Sequence, residues 1–168
     1  MKKNNSYSKA RGFTLIEILI VITIIGILAS ITLVFLSSAG EKDRDVRRKA
    51  EISQIGKFLI ISCYLPDGGE GEYDLILLAD EILSKNPQYS KFLSTIPKDP
   101  KTGTETESKY IYTVTADGKD CALYANLESS SESVTLTITV PTPGGGTGVF
   151  KADSPGWNGS QLYFQYSN

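Results

Sequence analysis

No histidine occurs in the 168 residues, cysteine occurs twice, and methionine and tryptophan once each. Without histidine the chain lacks the usual general base at neutral pH and the commonest metal ligand. Two cysteines are too few for a four-cysteine zinc site. No glycine-rich phosphate loop of the required spacing and no nucleophile–base pair is visible. These absences argue against an enzyme. Basic residues are scarce beyond the start of the chain. Lys2, Lys3, Lys9 and Arg11 precede the first acid, so residues 13–168 carry 13 bases against 19 acids. A body of that sign is a poor partner for phosphate backbones, which argues against nucleic acid.

What the sequence does have is a long apolar run, FTLIEILIVITIIGILASITLVFL, from Phe13 to Leu36, with Glu17 its single charge. As a helix at ~1.5 Å per residue it extends about 36 Å, enough to cross a ~30 Å hydrocarbon core with some tilt. Threonine and serine are its only relief, so it has no polar face of the kind a core helix shows. A cleaved secretory signal peptide is the alternative, favoured by the basic start and by Ser37-Ser38-Ala39. Against it, the run exceeds the usual apolar stretch of about 7–15 residues, and it carries an acid that is costly at membrane depth. Lys42, Arg44, Arg47, Arg48 and Lys49 follow the run closely, so flanking charge does not fix its orientation.

The segment Lys9-Ala10-Arg11-Gly12-Phe13-Thr14-Leu15-Ile16-Glu17 resembles the prepilin leader of type IV pilins and type II secretion pseudopilins. The likeness continues through Ile18–Ile31, including Gly26. It implies an α+β fold, with a long N-terminal α-helix, transmembrane in its first half, packed on a small antiparallel β-sheet head. It further implies that a prepilin peptidase cuts between Gly12 and Phe13 and N-methylates Phe13. Mature subunits would then leave the bilayer and assemble with copies of themselves and other pilins into a helical filament, on an inner-membrane assembly platform. The precursor would sit in the cytoplasmic (inner) membrane as a single-pass protein with its head outside the cytoplasm, and the filament would be extracellular or periplasmic. Val34 stands where many members carry a helix-kinking proline. Cleavage would free an α-amine on Phe13, and Glu17 could face that amine on a neighbour. Opposite charges ~4 Å apart attract by about 4 kcal/mol at an effective dielectric near 20. The plainer reading of Glu17 is a tolerated polar residue near the membrane interface.

Beyond the leader at 1–12 and the apolar helix at 13–36, an amphipathic continuation is expected over 37–65. A globular head with an antiparallel sheet should occupy 66–140, and a Pro/Gly linker with a C-terminal strand 141–168. Glu41–Glu51 is densely charged and reads as a solvated helix surface. Ile52, Ile55, Leu59 and Cys63 mark one helix face, ended by Pro66-Asp67-Gly68-Gly69. Leu75, Leu78, Ala79 and Ile82 suggest a short amphipathic helix with Asp74 as its cap. Ile96–Gly103 reads as a rigid turn leading into the first strand. Tyr110–Thr115 and Cys121–Leu127 read as a hairpin about Asp117-Gly118. Val134–Val140 alternates as a further strand, and Gln161–Tyr166 as a late aromatic one.

Cys63 and Cys121 are either a disulfide, worth roughly 4 kcal/mol of loop closure, or two buried thiols acting as small apolar residues. The resemblance raises calcium, since pseudopilins often hold it in a late acidic loop. The late acids Asp117, Asp120, Glu128, Glu132 and Asp153 are scattered without EF-hand spacing, so no cofactor or metal is assigned. The leading function is a structural subunit of a type IV pilus or pseudopilus. The alternative is an adhesive or DNA-uptake pilin whose Trp157, Tyr163, Phe164 and Tyr166 form an exposed stacking surface.

Overall fold

The computed structural model describes residues 13–59, 61–91, 93 and 95–168, and for Val34 the backbone alone. The leader, Gly12 included, lies outside the described residues. The chain divides after Ser38 into two compact units. Helix α1, Leu15–Leu59, supplies residues to both and runs through position 34 and through Ser37–Gly40.

In the first unit each described large apolar side chain from Phe13 to Leu36 is exposed, none less than about half. The helix contains an 18-residue window of mean hydropathy 3.0, long and apolar enough to cross a membrane. Three of its hydroxyls are satisfied internally. Thr23, Ser30 and Thr32 donate to the carbonyls of Leu19, Gly26 and Leu28, four residues back. Such bonds keep polar atoms from facing hydrocarbon unpaired.

The second unit, the head, is the outer part of α1, a short helix and a five-stranded antiparallel sheet. Strand β1 is Gly71–Asp74, α2 is Leu75–Lys85, β2 is Ile111–Val114, β3 is Cys121–Asn126, β4 is Gly148–Lys151 and β5 is Leu162–Ser167. The spatial order is β1-β2-β3-β5-β4. Ile52 and Leu59 of α1 meet Leu75, Leu78 and Ile82 of α2 and Tyr112, Val114, Cys121, Leu123 and Ala125 of the sheet in one core. The expected amphipathic helix is α2, capped by Asp74, whose Oδ1 accepts from the Ile76 amide at 2.9 Å. The same carboxylate also accepts from the amides of Ser108 and Lys109, the latter at φ +62°, so one side chain starts α2 and fixes the turn before β2.

α1 ends at Leu59, short of the Tyr64 that helical spacing alone would allow. Beyond it Cys63 is bonded to Cys121 of β3, and the Tyr64 carbonyl accepts from the Tyr112 hydroxyl. Both ties pull the chain off the helical path. The hairpin turn spans four residues, 116–119, because the Thr115 amide still pairs with the Asp120 carbonyl and Gly118 takes φ +65°.

One expected strand is absent. Val134–Val140 forms no ladder, although it runs beside the edge strand β4. The Thr135 hydroxyl, not a backbone carbonyl, accepts from the Val149 amide, and the amides of Thr135 and Leu136 both crowd onto the Val149 carbonyl. A side chain has displaced the backbone partner, which ends the pairing there. The Pro/Gly stretch after it does not behave as a free linker. Gln165 of β5 accepts from the Thr142 amide and donates to the carbonyls of Thr142 and Gly146, and the Gly144 amide donates to the Ser167 hydroxyl.

α1 approaches the sheet closely at Gly56, where an added Cβ would lie 2.5 Å from the Tyr166 ring and 3.0 Å from its Cβ. Alanine is the better helix former by about 1 kcal/mol, yet overpacking of this kind costs about 1–3 kcal/mol. Gly56→Ala is therefore expected to lower the chemical-denaturation midpoint. In a Tyr166→Ala background, where the ring is gone, the same substitution should become neutral or stabilising.

Candidate functional site

Thr14 precedes the first helical residue, Leu15, and Glu17 stands at the third helical position. The Thr14 amide and hydroxyl both donate to Glu17 Oε2 at 2.7 Å, and the Glu17 amide approaches the Thr14 hydroxyl at 3.4 Å. This is a reciprocal capping box, in which the Thr-x-x-Glu spacing satisfies the orphan donors of a helix start. The spacing is legible in the sequence, and reading Glu17 only as a counter-ion passes over it. Glu17 Oε1 accepts nothing among the described residues. Phe13, the predicted new N-terminus, is exposed one residue before the cap.

A second charged cluster lies in the head. The charged stretch Glu41–Glu51, expected to be solvated, in fact delivers Asp45 and Arg48 to complete burial. Arg48 donates through Nε and Nη2 to the two Asp99 oxygens at 2.8 and 2.9 Å, and through Nη1 to Asp45 at 2.7 Å. Its Nη2 also lies 2.7 Å from Glu128. Glu128 accepts both arms of a bidentate contact from Arg44 at 2.7 Å and is 3.1 Å from Lys101 Nζ. Asp45 in turn accepts from the amides of Glu128 and Ser129. The Ile96–Gly103 turn is thus more than a lead into the sheet. Its Asp99 also accepts from the amides of Lys101 and Thr102 and from Asn158 Nδ2.

A sequence signal for this cluster exists: Asp45 and Arg48 extend the Ile52–Leu59 stripe backward by helical steps of three and four. Burial works to lower the Arg48 pKa, but Asp99, Glu128 and Asp45 outweigh it and hold the guanidinium charged. Arg44 pulls the Glu128 carboxyl down, burial opposes this, and Arg48 and Lys101 add to the pull, leaving it at about 2.

The cluster's three carboxylates are taken up by Arg44, Arg48 and Lys101. Of the other late acids, Asp117 is bound by Thr115 and Lys119, Glu132 by Lys49 and Asp120 weakly by Asn168, while Asp153 is exposed. Among the described residues no group of three or more histidine, cysteine, aspartate or glutamate side chains is placed to hold a metal ion.

The aromatic residues near the C-terminus form no exposed tail. Phe164 and Tyr166 pack on the core from β5, and Tyr163 stacks on Phe150 with ring centroids 5.4 Å apart. Trp157 meets Tyr163 edge-on and Tyr124 at a tilt.

A family model described as the prokaryotic N-terminal methylation motif matches residues 7–33. The chain therefore carries the prepilin signal of type IV pilins and pseudopilins, ahead of a pilin-like α+β architecture, and the motif marks a prepilin-peptidase substrate. No curated protein and no solved structure matches the chain.

Removing one partner of a buried ion pair costs about 3–5 kcal/mol because the others are left uncompensated. Arg48→Ala should lose stability on that scale, whereas Arg44→Ala, at a guanidinium 35% exposed, should lose clearly less. Urea denaturation of the two variants checks the ranking.

Because the folded-state pKa of Glu128 lies below its ordinary 4.5, its stabilisation is complete above that value and is lost as the pH falls toward 2. The stability of the head should therefore drop between about pH 4.5 and pH 2, and Glu128→Gln should flatten that part of the profile.

Proposed function

We propose that this chain is a structural subunit of a type IV pilus or pseudopilus. It is cut between Gly12 and Phe13, N-methylated at Phe13, and assembled with copies of itself and other pilins through the apolar helix of residues 13–36. Before assembly that helix holds the precursor in the cytoplasmic membrane with the head on the far side, and the assembly platform then moves it into the filament. The single observation that carries this reading is the half-occupied carboxylate of Glu17. Oε2 is held by the chain's own cap, while Oε1 is unengaged among the described residues, on a surface otherwise made of exposed aliphatic side chains.

Cleavage places a charged α-amine in the same apolar surroundings. Each charge alone is costly away from water, and together they attract by about 4 kcal/mol at ~4 Å and an effective dielectric near 20. A neighbour docked at the correct axial height brings its amine to Oε1, and one docked elsewhere leaves both charges unmatched. Pairing thus selects register, while the surrounding aliphatic side chains exchange lipid for one another.

The cap and the counter-ion are separable. Glutamine at the third helical position still accepts from the cap residue but carries no charge. Glu17→Gln should therefore insert and be cleaved normally yet assemble into filament at least tenfold less than the parent. Normal filament yield would reduce Glu17 to a cap and remove the pairing. Gly12→Val should leave full-length precursor in the membrane, because a side chain there crowds the approach to the scissile bond. Intact-mass measurement of the membrane fraction distinguishes precursor from chain beginning at methylated Phe13.

A further inference from the structure

The segment Val134–Val140 has the composition of a strand and the hydrogen bonding of a loop. Every residue but Leu136 is β-branched, the class that favours extended backbone. Exposure alternates from Leu136 to Thr139: Thr137 and Thr139 are exposed while Leu136 and Ile138 are half-buried, and Thr135, though exposed, turns its hydroxyl onto Val149. That period of two belongs to an extended chain, which holds to Ile138 before the backbone bends at Thr139 and Val140. Leu136 is anchored on the head, with its side chain over Gly146 and Gly148 at the edge of β4. After the contacts of Thr135 and Leu136 with Val149, hydrogen bonding to the rest of the head is interrupted until Thr142, whose hydroxyl donates to the Val140 carbonyl and whose amide donates to Gln165. Among the described residues Thr137, Ile138 and Thr139 make no hydrogen bond through backbone or side chain. Val134 and Val140, at the two ends, are 50% and 60% exposed.

An extended stretch with free donors and acceptors beside a sheet edge is a template for strand addition, the feature that protein surfaces usually blunt with charge or proline. Here no charge and no proline interrupts the seven residues. Their order also indicates the partner. Read from either end the pattern is valine, threonine, aliphatic, threonine, aliphatic, threonine, valine. Antiparallel pairing of two copies about Thr137 sets Val134 against Val140, Thr135 against Thr139, Leu136 against Ile138, and Thr137 against itself. Threonine meets threonine on one face and aliphatic meets aliphatic on the other, the cross-strand matches that stabilise a ladder.

We propose that residues 134–140 form a homotypic contact, in which two heads of this chain pair antiparallel about a two-fold axis through Thr137. Such a contact is isologous, whereas a filament built by one repeated screw operation uses heterologous contacts and contains no two-fold of this kind. Resting on the filament reading above, the pairing joins subunits of neighbouring filaments and bundles them laterally. The pairing of two heads does not itself depend on that reading.

Single cysteines on the full chain test the register, since Cys63 and Cys121 are already bonded to each other. With a short bismaleimide on detergent-solubilised protein, Thr137→Cys should cross-link to itself. Thr135→Cys and Thr139→Cys should each cross-link poorly alone, because like positions lie about 14 Å apart in the proposed register at ~3.4 Å per residue. Mixed together, those two should couple at least fivefold better than either alone.

Adding Thr137→Pro to both partners of the mixture should abolish coupling, since proline removes a ladder donor. Position 137 is exposed and bonds to nothing in its own head, so the fold should persist, as a retained thermal transition would show. Cross-linking of Thr135→Cys alone as readily as Thr137→Cys, or of no variant at all, would overturn the proposal. Scoring in detergent, with Glu17→Gln chains run in parallel, keeps this result apart from any failure of filament assembly. Where filaments form, those of Thr137→Pro should lie singly in electron micrographs while the parent's lie in bundles, and unchanged bundling would refute the lateral role.

Discussion

A guanidinium with no access to water must find its partners inside the protein, and Arg48 sets the geometry of the head by doing so. Its four short contacts reach Asp45 one turn back on α1, Asp99 in the turn before the sheet, and Glu128 just past β3. Each of those acids is then bound a second time, to backbone amides, to Asn158 or to Arg44 and Lys101. The balance of three bases against three acids leaves no net charge to desolvate. Were any one of the segments displaced, a buried ion would be left unmatched, so the cluster fixes α1 against the sheet more strictly than apolar contact, which tolerates sliding.

Glu17 shows the same physics left unfinished. Its carboxylate stands exposed among aliphatic side chains and caps local backbone, and among the described residues only one of its oxygens has a partner. The hydroxyls of Thr23, Ser30 and Thr32 in the same helix are all satisfied internally. Among the described residues of the apolar run those three hydroxyls are bonded within the helix, while Glu17 has one carboxylate oxygen without a partner. An unmatched charge is tolerable at the exposed end of an isolated helix and becomes costly once water is excluded around it. On the filament reading proposed above, that difference would let one residue be silent in the separate chain and decisive on association.

The parts of the structure that sequence made legible are those governed by local rules. The unbroken apolar run needs no tertiary information, and Leu75, Leu78, Ala79 and Ile82 with Asp74 before them describe α2 almost completely. The two strands around Asp117-Gly118 follow from alternation and turn chemistry. The expectations that failed involve partners distant in the chain. Nothing near Arg48 announces that Asp99 and Glu128 will enclose it, so the charged stretch reads as surface. Nothing near Val134 announces that the Thr135 hydroxyl will take the Val149 amide, so an apparently ideal strand lies beside the sheet without joining it. Strand β4 suffers the converse: its four residues carry little pattern and gain their pairing from β5, which inserts between β4 and β3. The capping box at Thr14 and Glu17 belongs to neither group. Its Thr-x-x-Glu spacing is local, and the same carboxylate carries both the cap and the isolated charge.

The two contacts inferred for this chain differ in symmetry, and that difference keeps them from competing. A carboxylate on one subunit and an amine on the next are unlike groups, so their pairing is directional and can repeat without limit along one axis. The sequence from Val134 to Val140 is nearly its own mirror in order, so its pairing is satisfied by two copies and then stops. Growth along a filament needs the first kind, and association limited to pairs needs the second. Mixing them on one surface would let either interaction cap the other. Here the first lies at the start of α1 in the unit ending at Ser38 and the second in the head beyond it, in separately compact parts of the chain. The head's own stability rests on Arg48 and the core, which use neither surface, so both contacts can form or break without cost to the fold.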